Sequence, residues 1–89
     1  MSVPHMIRLS YQRHSETGLL AAFSHDLKGL LAMGRTFEEL HEELPHLIVD
    51  LVKERYGADV RVEWEDDEPI APGFETAVEK CAKLELEHA

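Results

Sequence analysis

Thr36-Phe37-Glu38-Glu39-Leu40-His41-Glu42-Glu43-Leu44-Pro45-His46-Leu47-Ile48-Val49-Asp50-Leu51-Val52-Lys53-Glu54-Arg55-Tyr56 is the stretch whose reading decides the fold. Phe37, Leu40, Leu44, Leu47, Ile48, Leu51 and Val52 recur at helical spacing and form one apolar stripe. Thr36 followed three residues later by Glu39 is a capping box. The hydroxyl accepts from the third backbone N–H, and the carboxylate reaches back to the cap's own N–H. Glu38 and Glu39 fall in the first turn, where the helix dipole favours negative charge. Gly57, just past Arg55, is the matching stop signal. Pro45 removes the N–H that bonds the carbonyl of His41 and crowds that turn, so a kink or a break into two pieces is expected there.

On the N-terminal side, Met1 to Pro4 reads as a loose lead-in. Ile7, Leu9 and Tyr11 alternate with Arg8, Ser10 and Gln12, the pattern of a half-buried strand. His14 to Gly18 is a turn cluster, and Leu19 to Ser24 is a second strand, apolar on both faces, that closes an antiparallel hairpin. His25 to Gly29 is a loop, and Leu30 to Gly34 is a short third strand. On the C-terminal side, Val60, Val62 and Trp64 alternate with Arg61, Glu63 and Glu65 in a fourth strand. Asp66-Asp67-Glu68 ends it in a block of charge, and Pro69 to Gly73 is a stiff connector. From Phe74 the spacing of Ala77, Val78, Cys81 and Leu84 predicts a second helix. The resulting order is βββαβ plus a C-terminal helix, a two-layer α+β domain with an antiparallel sheet. The last helix is expected to cover the second face of the sheet, in its own subunit or in a neighbour.

Bulk properties bound the function. A chain of 89 residues is one small domain. It buries roughly 60% of its unfolded surface, which makes oligomerisation a plausible source of added stability. The single cysteine excludes an internal disulfide. The N-terminus has no charged segment leading into an apolar one, and no apolar run approaches about 18 residues, so a cytoplasmic protein off the membrane is expected. A formal net charge of −9 argues against nucleic-acid binding and suits a basic protein partner or simple solubility.

Chemistry-bearing patterns are sparse. His41 and His46 are separated by ~140° around a helix, so they cannot chelate one ion. His41 falls at the edge of the apolar stripe, and His46 on the outer face beside Glu42 and Glu43. His25-Asp26 is two adjacent residues in a loop and not a ligand set. Ser24-His25-Asp26 contains triad letters without triad spacing. Cys81 falls on the apolar side of the expected last helix and reads as a small hydrophobe. No catalytic, cofactor or metal residues are assigned, and a non-enzymatic role is expected. The acids stand out instead. Glu38/Glu42 and Glu39/Glu43 are like-charge pairs four apart, tolerated without a nearby cation. They read either as a solubilising face or as a docking face for a basic protein.

The order of elements and several local runs resemble the HicB-type antitoxins, in particular a small HicB-related branch. The likeness spans about two-thirds of the chain, Ile7 to Glu65. It includes Gly18-Leu19-Leu20-Ala21-Ala22-Phe23-Ser24 and the loop Asp26-Leu27-Lys28-Gly29-Leu30, where the family's usual Asp-Leu-Pro-Gly has a proline in place of Lys28. Gly34-Arg35-Thr36-Phe37-Glu38-Glu39-Leu40 is similar to the family's Gly-x-Thr-x-x-Glu-Ala helix start. Leu44-Pro45-His46-Leu47-Ile48 is similar to a Leu-Pro-x-Leu-Ile run of the small branch. The resemblance implies a partial ribonuclease-H-like domain over residues 1–68; the connector and helix expected over 69–89, packing on the same domain or on a neighbouring subunit, depart from the family. It implies a partner, a small basic ribonuclease toxin of the HicA type, masked by the antitoxin, and assembly as a homo-oligomer, dimer or tetramer. Family members often carry a C-terminal DNA-binding motif, for which the residues after Pro69 leave too little chain. Solitary members without a toxin imply an alternative, an oligomerising or interaction module. Glu39, Glu42, Glu43, Glu63 and Glu65 are the expected partner-binding residues.

Overall fold

The computed structural model describes residues 3–66, 68–71 and 73–87. Met1 and Ser2 of the expected lead-in, Asp67 of the charge block, Pro72 of the connector, and His88 and Ala89 lie outside the described residues. The elements are β1 (Met6–Arg13), β2 (Leu20–Phe23), β3 (Leu31–Gly34), α1 (Phe37–Tyr56), β4 (Val60–Trp64), a 3₁₀ turn (Glu75–Ala77) and β5 (Glu79–Leu86). One antiparallel sheet runs in the order β3-β2-β1-β5-β4, with α1 lying across one face from β3 to β4. The molecule is an α+β domain.

Local chemistry explains each turn. The β1–β2 hairpin is closed by the His14 N–H to the Leu19 carbonyl at 2.7 Å, with Gly18 at φ 73° supplying a conformation other residues avoid. β2 ends at Phe23, which leaves the Arg8 N–H of β1 without a strand partner there. The Asp26 carboxylate takes that place, accepting from the Arg8 N–H at 2.8 Å and from its Nε at 3.4 Å. A loop side chain thus extends the ladder where the backbone has turned away.

The helix follows its sequence signals closely. Thr36 Oγ1 accepts from the Glu39 N–H at 3.2 Å. The Glu39 carboxylate accepts from the Arg35 N–H at 3.0 Å, one residue before the cap, so the box closes one residue earlier than expected. Gly57 sits at φ 67° and its N–H reaches the Lys53 carbonyl. α1 continues as one element through Pro45, and the two separate helical pieces expected as one outcome do not form. Leu44 and Ile48, on either side of the proline, are both fully buried against the sheet. Their packing holds the axis together across the one missing hydrogen bond.

The C-terminal expectation is overturned. The segment from Phe74 does not form a second helix; it makes one 3₁₀ turn and then the eight-residue strand β5. β5 enters the middle of the sheet, pairing Met6–Ser10 of β1 on one side and Val60–Trp64 of β4 on the other. The sheet therefore has five strands, with β4 at one edge and β3 at the other. The physical reason is that a central strand satisfies two ladders at once, whereas a helix here would leave the inner edges of β1 and β4 unpaired. Phe74, expected on the apolar side of that helix, is 64% exposed. Ala82 and Leu84 point under α1, and Cys81 lies on the opposite face, not on an apolar helix side. No described element covers that second face.

The core lies between α1 and the sheet. Ile7, Leu9, Leu20, Ala22, Ala32, Val60, Ala82 and Leu84 from the strands meet Phe37, Leu40, Leu44, Ile48 and Val52 from the helix. The periodicities of two and 3.6 residues that the sequence displays are those of the two surfaces that meet here.

Candidate partner-binding surface

The five expected partner-binding acids divide between two sides of the molecule. Glu39, Glu42 and Glu43, with His46, line a shallow groove of about 390 Å³ on the outer face of α1. All four are exposed. Glu39 is partly engaged by the Arg35 N–H. Glu42 and Glu43 make no ion pair among the described residues. The charge of this face is therefore offered to solvent without compensation.

Glu63 belongs elsewhere. Val60, Val62 and Trp64 turn toward α1, where the His41 ring stacks on Trp64 at 4.3 Å. Alternation then puts Arg61 and Glu63 on the open face of the sheet. There Arg61 bridges Glu85 at 2.6 Å and lies 4.0 Å from Glu63. Glu65, just beyond the strand, stands beside Cys81, whose thiol is pushed up by burial and then by the Glu65 carboxylate. The acids of β4 are thus separated from the acids of α1 by the thickness of the sheet. They cannot contact one small partner as a single patch with the helix groove.

Two buried charges escape sequence reading. Glu75 is 3% exposed and Lys80 is 5% exposed. Glu75 accepts from Arg13 Nε at 3.2 Å and from Nη2, and its other oxygen accepts from the Gly73 N–H at 2.8 Å. The Arg13 guanidinium holds the Glu75 carboxyl below its ordinary range, with backbone N–H groups adding to the effect. Arg13 also donates to the carbonyls of Gly18 and Arg35. One side chain therefore ties the hairpin turn, the start of the helix and the connector together. Lys80 Nζ pairs with Asp66 and lies 5.9 Å from the centre of the Phe37 ring. That bond, with the Glu68 N–H, holds the Asp66 carboxyl low. Only the period-two placement of Lys80 between Val78 and Ala82 could have hinted that it points inward.

Tyr11 packs edge-on against Phe37 at 5.4 Å. Its hydroxyl is buried without a hydrogen-bond partner among the described residues. Burial, and then the negative charge of Asp66, pushes its ionisation well above the usual tyrosine value. It stays neutral throughout the physiological range.

A second concavity, about 440 Å³, is lined by His25, Asp26, Lys28, Arg55 and Tyr56. A third, about 200 Å³, lies beside the Arg13–Glu75 pair and is lined also by Thr36, Phe37, Glu38 and Ile70. Among the described residues no group of three or more His, Cys, Asp or Glu side chains is placed to hold a metal ion. Ser24 Oγ accepts from the Asp26 N–H at 3.1 Å and is buried in the loop, a turn contact unrelated to a triad. Among the described residues no helix is long and apolar enough to cross a membrane. No protein-family model matches the chain, and neither a curated protein nor a solved structure matches it.

Proposed function

We propose that this chain is a non-enzymatic, HicB-like domain of the cytoplasm that binds and masks a small basic ribonuclease toxin of the HicA type. The observation that carries the reading is the uncompensated acid groove of Glu39, Glu42 and Glu43 on the outer face of α1. In a chain of net charge −9, such a face raises the encounter rate of a basic partner and rejects acidic ones. The β1–β2–β3 meander followed by α1 supports a partial ribonuclease-H-like frame over the same residues that carry the family resemblance. The groove is shallow, which suits a protein surface better than a small substrate. Glu63 and Glu65, on the far side, would serve a second contact or none.

The test is co-expression with the small open reading frame beside its gene, followed by co-purification. Reversing Glu42 and Glu43 to Lys is expected to lose the captured partner while the thermal transition stays in place. Rescue of growth that survives the double reversal would remove this face from consideration. A second reading, a toxin-free module that associates with copies of itself, is favoured by the open sheet face, where Leu31 is 61% and Met33 49% exposed. Light scattering on the pure protein separates the two: a monomer at micromolar concentration speaks against self-association.

A further inference from the structure

The cleft between the β2–β3 loop and the last turn of α1 gathers positive charge on an otherwise acidic chain. Nine Lys and Arg face eighteen Asp and Glu, so acids are available everywhere. Arg8, Arg13, Lys53, Arg61 and Lys80 are each in an ion pair. Lys28, Arg35, Arg55 and Lys83 are in none among the described residues, and of these four Lys28 and Arg55 come from segments far apart in sequence yet line the same 440 Å³ cleft. The helix dipole accounts for a cation in the last turn of α1, but not for Lys28, which belongs to a loop.

The cleft is also shaped. Gly29 sits at φ 90°, and Arg55 Nη2 lies 3.0 Å from where a β-carbon would be. The guanidinium is laid against bare loop backbone, which steers it into the cleft. The His25 ring is braced edge-on to Phe23 at 5.5 Å. The one acid in the lining, Asp26, is engaged by Arg8 through two hydrogen bonds, so its charge is offset from the far side. Tyr56, half-buried, closes the remaining wall.

We infer that this cleft binds the phosphate group of a small phosphomonoester, with Arg55 and Lys28 as its two cationic contacts and His25 at its rim. A guanidinium fork takes two oxygens of a tetrahedral anion, and an ammonium adds a point charge on a third. Two cations match a dianion, whereas a carboxylate needs only one. The site is separate from the acid groove, and its fate does not bear on toxin binding.

The experiment titrates the full isotopically labelled chain with inorganic phosphate, phenyl phosphate and acetate at constant low ionic strength. Saturable shifts of the backbone signals of residues 25–29 and 55–56 with both phosphates, and not with acetate, are expected. Arg55→Gln and Lys28→Gln are each expected to weaken binding by about tenfold. Shifts that grow linearly without saturation, or that acetate reproduces, overturn the assignment. So does undiminished affinity in both variants, whose unchanged helix signals certify the fold.

Discussion

The two faces of the sheet use one set of strands for opposite purposes. Under α1, the inward side chains of the five strands are apolar except Arg13 and Lys80, and most are buried. On the other face the same strands carry Leu31, Met33 and Phe23 at one end and the Arg8, Arg61, Glu63, Lys83 and Glu85 group at the other. The difference teaches that the pleat alone assigns side chains to faces, while a covering element decides what each face is worth.

The sharpest way to break that comparison is a pair of identical truncations. Leu20→Ala removes a fully buried side chain from the covered face and is expected to cost about 2–5 kcal/mol in urea unfolding. Leu31→Ala, on the adjacent strand but the open face, is expected to change stability by less than about 0.5 kcal/mol. Equal losses would show that the open face is covered in solution.

Between those extremes lies the buried charge beneath the connector. Glu75→Gln removes the negative charge that faces the Arg13 fork and turns one of its two acceptor oxygens into a donor, and is expected to cost about 1–3 kcal/mol at neutral pH. The sign of the pH effect follows from the direction of the shift. The folded carboxyl titrates below its ordinary 4.5, so its stabilisation is fully present above that value. It is lost as pH falls through the lower folded value. Unfolding from pH 7 down to 3 should therefore show a shallower acid limb in Glu75→Gln than in the parent. Parallel limbs would mean that Glu75 does not hold its charge against Arg13.

The smaller effect belongs to the helix start, which joins the two faces at β3. Thr36→Ala is expected to cost about 1 kcal/mol through the lost acceptor for the Glu39 N–H, measured by thermal melting. A negligible change would mean that Glu39 and packing alone secure the first turn.

The part of the fold nearest these substitutions was legible before any coordinates. Thr36, Gly57 and the seven apolar positions of α1 are local signals, satisfied within a few residues or by one stripe meeting one surface. The hairpin and β4 were legible for the same reason, since their alternation is undisguised. β5 was not. Its run Lys80-Cys81-Ala82-Lys83-Leu84-Glu85-Leu86 alternates by two, but it is composed of residues with high helix propensity, and Lys80 occupies an inward position. Two flanking ladders override that propensity, and neither can be seen from within the segment. The expected binding site fared likewise. The acids of α1 could be grouped from spacing, but Glu63 and Glu65 joined them only on paper. Which side of the sheet a strand's outer residues occupy depends on where the helix crosses.

The chain by itself determined its helix, the ends of that helix, the three strands before it, and the inward side of β1 and β4. Those features rest on contacts between near neighbours or on periodicity. Tertiary structure alone decided that the last segment is a central strand, that Lys80 and Glu75 are buried with partners, and that Lys28 meets Arg55 across a cleft. Each of these joins residues far apart along the chain, and only closure of the whole sheet brings them within reach.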